Sequence, residues 1–195
     1  QESRGLGDVY KRQAYCICRR FHTIDQILMR MMKNSDNLYA ESMFYQLAAS
    51  TGTKQASAKQ VRSVINRLIS KVGLNPKRYE IADGSGLSLY NYLSAELEVR
   101  LLRYAFQNNN IYMHLRPSLP IAGEDGTLRK RMTGVFTAGN VRAKTGTVQG
   151  VSSLAGYCTA ANGHRLAFSI INQGIQHHSN GRAFQDRVCT VLCQP

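Results

Sequence analysis

The chain has 195 residues, 43% apolar and 19% charged, which is enough to bury the core of about one domain and too apolar for a disordered or collagen-like chain. Its 25 Lys and Arg against 12 Asp and Glu leave a formal charge of +13, so its surface favours a polyanion: nucleic acid, anionic lipid or an acidic wall polymer. No stretch approaches the roughly 18 apolar residues of a membrane span, and the N-terminus lacks the charged, apolar and small-residue stages of a signal peptide, so any export signal is expected outside this sequence. The five cysteines, Cys16, Cys18, Cys158, Cys189 and Cys193, are odd in number and cannot all pair; they read as mostly free thiols.

Residues 1–20 mix glycines, charges and polar residues without a sustained period and predict no firm element. They read as an atypical segment, a remnant foreign to the domain expected over 21–195. From Thr23 onward, Ile24, Ile27, Leu28 and Met31 form a helical apolar stripe that stops near Lys33 and Asn34. Leu38, Tyr39, Met43, Phe44 and Leu47 form a second stripe, which puts Ser35, Asp36 and Asn37, all cap-forming types, in a helix-helix junction. Ser57 and Gln60 make a capping box for a third helix through Val61, Ile65, Leu68 and Val72, closed by Gly73 and Pro76. Asp83-Gly84-Ser85-Gly86 predicts a tight turn, and Ser94 caps a helix through Leu97, Leu101 and Tyr104 that ends in the asparagine run 108–110.

A loop containing Pro117, Pro120, Gly123 and Gly126 follows, and there the period falls from 3.6 towards 2. Strands are expected at 141–147, 152–159 and 165–172, the last two flanking the hairpin signal Asn162-Gly163, and a final helix through Ala183, Phe184, Val188, Val191 and Leu192. The order, helices and then three adjacent strands and one helix, is an antiparallel α+β arrangement. Its core is expected from Ile24, Leu28, Met31, Phe44, Leu47, Ile65, Leu68, Leu97 and Leu101 packed on the strands.

Two tripeptides carry chemistry: Ser35-Asp36-Asn37, and Lys144-Thr145-Gly146 extended by Thr147. Alone, the first is more often a helix cap and the second a strand end running into a turn. In this order, one at a helix junction and the other on a strand, they resemble two of the three short motifs shared by serine β-lactamases and penicillin-binding proteins. Acyl transfer to a serine needs a base, a proton donor for the leaving amine, and N–H groups for the oxyanion. In such a site Ser35 relays a proton and Asn37 holds a substrate amide. Lys144 supplies a positive charge beside Ser35 and near an anionic substrate terminus. Thr145 and Thr147 offer hydroxyls to a carboxylate, Gly146 lets an extended substrate lie along the strand edge, and the Thr147 N–H points at the oxyanion.

The likeness is wider than the tripeptides. NSDNLYAE at 34–41, ADGSGLSLYN at 82–91, LPIAGEDGTL at 119–128 and VRAKTGTVQGVSSLAGY at 141–157 resemble the S13 peptidase family, the low-molecular-mass class C penicillin-binding proteins. The resemblance runs from about residue 21 to residue 193. It implies a β-lactamase/transpeptidase-like fold and a serine-type D-Ala-D-Ala carboxypeptidase or endopeptidase of the bacterial periplasm or envelope. Its substrates would be peptidoglycan stem peptides, β-lactams would acylate it, and it would use no cofactor or metal. The family's first motif, Ser-x-x-Lys, holds the nucleophile, and no serine here has lysine three residues later. Thr51-Gly52-Thr53-Lys54 imitates it but follows Ser35 and reads as an interhelical turn. The chain is therefore expected to be the C-terminal part of such an enzyme, with the fold incomplete, no nucleophile of its own and no activity alone; a non-catalytic peptidoglycan-binding piece is the neighbouring possibility.

Two other classes are weaker. A nucleic-acid-binding module would use the Arg129-Lys130-Arg131 cluster, but no recognition-helix, zinc-finger or aromatic RNA-platform signature accompanies it, and no nucleic-acid partner is expected. A zinc site on Cys189, Cys193, His177 and His178 has the wrong spacing, and an i, i+4 cysteine pair is more often part of a buried stripe.

Overall fold

The computed structural model describes residue 15 and residues 17–52 and 56–195. The expectations for residues 1–14, for Cys16 and for the second half of the turn at 51–54 lie outside the described residues. Helix α1, Ile24–Lys33, opens on a capping box in which Thr23 accepts from the Gln26 N–H and Gln26 reaches back to the Thr23 N–H. Helix α2, Asn37–Ala49, is capped by Asp36, and α3, Ala58–Lys71, opens on the Ser57 and Gln60 box. Helix α4, Ala95–Gln107, is capped by Ser94. These starts fall where cap residues precede an apolar stripe.

The asparagine run does not lead into a loop. Asn108 closes α4 and its carbonyl accepts from Ile111 and Tyr112 at 2.8 and 2.9 Å, so a further helix, α5, spans Asn109–Ser118. Pro117 lies one residue from its end, where it terminates the helix instead of excluding it. Helix α5 packs on α1. Strands β1 (Arg142–Val148), β2 (Val151–Thr159) and β3 (Arg165–Gln173) form one antiparallel sheet in that order, and the closing helix α6, His178–Cys193, begins five residues earlier than its stripe suggests.

The register places Lys144 opposite Ala155 and Ala155 opposite Ser169. Side chains alternate across a strand, so β2 turns Ser152, Leu154 and Cys158 to one face and Ser153, Ala155 and Tyr157 to the other. The first face meets α6, where Gln185 donates to Ser152 Oγ and Asn172 Oδ1. The second meets α4, where the Tyr157 hydroxyl donates to the Leu102 carbonyl and the Ser169 hydroxyl to Glu98. Lys144 lies on this second face.

The core departs from the helical stripes. Phe44 and Leu97 are buried, but Ile24, Leu47 and Leu68 are each more than a third exposed. The main cluster gathers Ala122, Leu128, Met132, Val141, Ala143, Leu154, Cys158, Phe168, Cys189 and Cys193. Much of it comes from the segment between α5 and β1, which folds back on itself: Gly123 donates to the Leu128 and Arg131 carbonyls, and Ala122 to that of Val141. An aperiodic segment leaves no trace in a reading based on period. A smaller cluster joins Phe44, Ala48 and Val61 between α2 and α3.

Candidate active site

The junction between α1 and α2 is a Schellman turn: Asn34 caps α1, Ser35 has φ of 54°, and the Asp36 N–H returns to the Met31 carbonyl at 3.1 Å. The left-handed conformation favours glycine or asparagine, so a serine there stores strain that the surrounding structure must hold. Asp36 accepts from the Tyr39 N–H, and Arg30 beside it at 2.9 Å, countered by desolvation, holds its carboxyl below the usual range.

Strand β1 is an edge strand of the described sheet. The Ala143 N–H points away from β2, to the Pro120 carbonyl, and the continuous register gives the Thr145 and Thr147 N–H groups the same outward direction. Lys144 reaches across the junction: its Nζ donates to Ser35 Oγ at 2.8 Å, a contact between residues 109 apart in sequence, and to the Thr145 carbonyl at 2.6 Å. Burial pushes the Lys144 amine down to about 8. It therefore carries its charge at neutral pH but gives it up more readily than a solvated lysine. The Thr145 hydroxyl donates to Thr127 Oγ1 at 2.9 Å, and a Cβ on Gly146 would collide with Ser153 Oγ.

Ser35, Asn37, Lys144, Thr145, Gly146 and Thr147 share one cavity of about 1410 Å³. Its opposite wall is the loop 83–93. Burial of Asp83 opposes ionisation, but donors from Asn91, Ser88 and Gly86 outweigh it and hold the carboxyl below its usual value. Glu41, on α2 one turn beyond Asn37, accepts from the Gly84 and Ser85 N–H groups at 3.2 and 3.0 Å and ties this wall to the helix that carries Asn37. Glu98 lines the cavity from α4, and burial pushes its carboxyl up while the Ser169 hydroxyl bonds to it.

Three of these contributors escape a motif reading. Thr127 lies within LPIAGEDGTL, which marks it only as part of a block. Glu41 closes the block NSDNLYAE, which marks it in the same way, and Glu98 is a single acid on a helix with no local signal.

The rival readings lose their groups. Arg131 turns inward, bonding Asp186 at 2.6 Å, Gln185 at 3.0 Å and the Arg182 carbonyl, so the basic run at 129–131 is not one solvated patch. Cys189 and Cys193 lie in the apolar core with no disulfide to Cys158, and burial pushes the Cys189 thiol up to about 12. No group of three or more His, Cys, Asp or Glu that could hold a metal is found among the described residues. No helix among them is long and apolar enough to cross a membrane.

Residues 19–194 match the D-Ala-D-Ala carboxypeptidase 3 (S13) family. The chain belongs to the S13 peptidase family. D-alanyl-D-alanine carboxypeptidase DacB of Haemophilus influenzae is 35% identical over 147 residues, 74% of this chain and 30% of that protein. The D-alanyl-D-alanine carboxypeptidase of an Actinomadura species is 36% identical over 181 residues, 88% of this chain and 32% of that protein. The crystal structure of penicillin-binding protein 4 from Haemophilus influenzae superposes with a TM-score of 0.78 at 31% identity, over 87% of this chain and 39% of that one. This S13 chain thus has the α+β, β-lactamase/transpeptidase-like fold and spans about a third of the length of the curated relatives it matches.

Proposed function

We propose that this S13 chain supplies the proton-relay and carboxylate-binding side of a serine-type D-Ala-D-Ala carboxypeptidase or endopeptidase, acting on peptidoglycan stem peptides in the bacterial periplasm or cell envelope. The contact of Lys144 Nζ with Ser35 Oγ carries the reading. A lysine that donates to a serine hydroxyl fixes that hydroxyl as acceptor on one side and leaves its own proton free for the leaving amine on the other.

The acyl-serine forms as the nucleophile hydroxyl gives its proton to the lysine of its own Ser-x-x-Lys motif, its oxygen bonds the carbonyl carbon, and the C–N bond breaks. Ser35 protonates the departing amine and Lys144 restores the proton, a transfer made easier by an amine already lowered to about 8. The Thr145 and Thr147 hydroxyls, with the Lys144 charge, bind the D-Ala carboxylate; the outward Thr147 N–H faces the oxyanion; Asn37 holds the substrate amide. The nucleophile is not among these residues, since no Ser-x-x-Lys occurs and Ser35 has Leu38 three residues on. It comes from a segment other than residues 21–195, which form the C-terminal part of the penicillin-binding domain. β-Lactams, whose amide carbonyl and carboxylate imitate the D-Ala-D-Ala end, acylate that same serine.

The test joins these residues to the Ser-x-x-Lys segment of their own protein and measures D-alanine released from a peptide ending in D-Ala-D-Ala. Ser35→Ala and Lys144→Ala are each expected to lower kcat by about 100-fold or more. Unchanged turnover in Lys144→Ala overturns the assignment.

A further inference from the structure

We infer that the part-buried Lys33–Asp125 ion pair and the Thr127 hydroxyl form a brace that holds Ser35 against Lys144, making Lys33, Asp125 and Thr127 positioning residues of the site. Their use in catalysis rests on the relay proposed above; the geometry does not.

Lys33 is the last residue of α1, two before Ser35, and is nearly sealed from solvent. Its amine donates to both Asp125 carboxylate oxygens, at 2.9 and 2.7 Å, and to the Leu119 carbonyl at 2.5 Å. Asp125 also accepts from the Ile121 N–H at 2.8 Å. The Lys33 backbone is engaged as well: a Cβ on Gly126, where φ is 54°, would come within 2.9 Å of the Lys33 carbonyl oxygen. The next residue is Thr127, whose Oγ1 accepts from Thr145 at 2.9 Å.

The contacts close a ring. From Lys33 the chain runs to Ser35, the 2.8 Å bond leads to Lys144, and the chain continues to Thr145. The 2.9 Å bond leads on to Thr127, the chain runs back to Asp125, and the ion pair returns to Lys33. Three segments far apart in sequence are joined by three non-covalent links. An exposed hydrogen bond taken alone orders little, because holding two mobile side chains together costs entropy. Inside a ring each link keeps the ends of the others in range. The ring also supplies what a left-handed serine needs, a surrounding structure that over-determines its backbone. Lys33 suits the task because its three donors all have acceptors, so the charge is buried without an orphan proton.

The experiment uses this chain with isotope-labelled lysine and follows the titration of the Lys144 side chain by NMR, assigned with Lys144→Met. Opening the brace admits water to the Lys144 amine. In Thr127→Val, which keeps the shape and removes the acceptor, and in Asp125→Asn, the midpoint should rise from about 8 towards the ordinary 10.5. Asp125→Glu should bring it part of the way back. The charged groups that share the cavity, Asp83, Glu98, Arg131, Arg182 and Asp186, are untouched in every variant. A merely structural tie would lower the melting temperature and leave the Lys144 midpoint in place. That result in Thr127→Val overturns the brace, even where Asp125→Asn fails to fold. The readout needs no turnover, so a moved midpoint upholds the brace even if Ser35 proves dispensable for D-alanine release.

Discussion

Lys144 gives its protons to two neutral oxygens, Ser35 Oγ and the Thr145 carbonyl, and such acceptors offset the burial of an ammonium less than a carboxylate would. The lowered value has a consequence for stability. Below about pH 8 the folded and unfolded chains both hold this proton; between about 8 and the ordinary 10.5 only the unfolded chain does. Stability follows the excess of protons bound by the unfolded state, so the contribution of Lys144 rises with pH across that window. Denaturant unfolding of the wild type and of Lys144→Met should therefore diverge from about pH 8 upward, with the wild type gaining relative to the variant. Parallel curves would mean that the amine is solvated. At this scale the meeting of Ser35 and Lys144 was expected from their motifs, and the contacts of Thr127 and Lys33 were not. Ser35 and Lys144 announce themselves by the company of Asp36-Asn37 and Thr145-Gly146, whereas Thr127 and Lys33 act through contacts across 18 and 92 residues that no local pattern encodes.

Among the elements, legibility followed the strength of local chemistry. The Ser57 and Gln60 box and the Asn162-Gly163 hairpin satisfy backbone groups within a few residues, so their sequence and their geometry coincide. Helix α5 was hidden because a run of asparagines and a proline weigh against helix locally, while its packing on α1 decides the outcome. The loop that walls the cavity depends on one close approach. A Cβ on Gly84 would stand 2.5 Å from the Ala40 carbonyl oxygen and 2.6 Å from Phe44 Cβ, both on α2. Backbone cannot yield as a flexible side chain can, so Gly84→Ala should lift the loop from α2 and from Glu41, costing about 1–3 kcal/mol in denaturant unfolding. A neutral result would show that the loop is not seated on that helix.

For the molecule as a whole, composition set the class and charge set little else. The formal +13 is spread through the chain, and the Arg129-Lys130-Arg131 run turns Arg131 inward to Asp186. The core was the least legible feature, since its largest cluster depends on the aperiodic segment before β1 folding under the sheet and α6. The central claim is that Ser35 and Lys144 serve a nucleophile located elsewhere, and fluorescent penicillin tests it most directly. Three samples are treated, denatured and read by gel and intact mass: the 195-residue chain, the same residues joined to their Ser-x-x-Lys segment, and that joined protein carrying Lys144→Ala. The account predicts no adduct on the first, a stoichiometric adduct on the Ser-x-x-Lys serine in the second, and labelling abolished or greatly slowed in the third. Stoichiometric labelling of the chain by itself would contradict it.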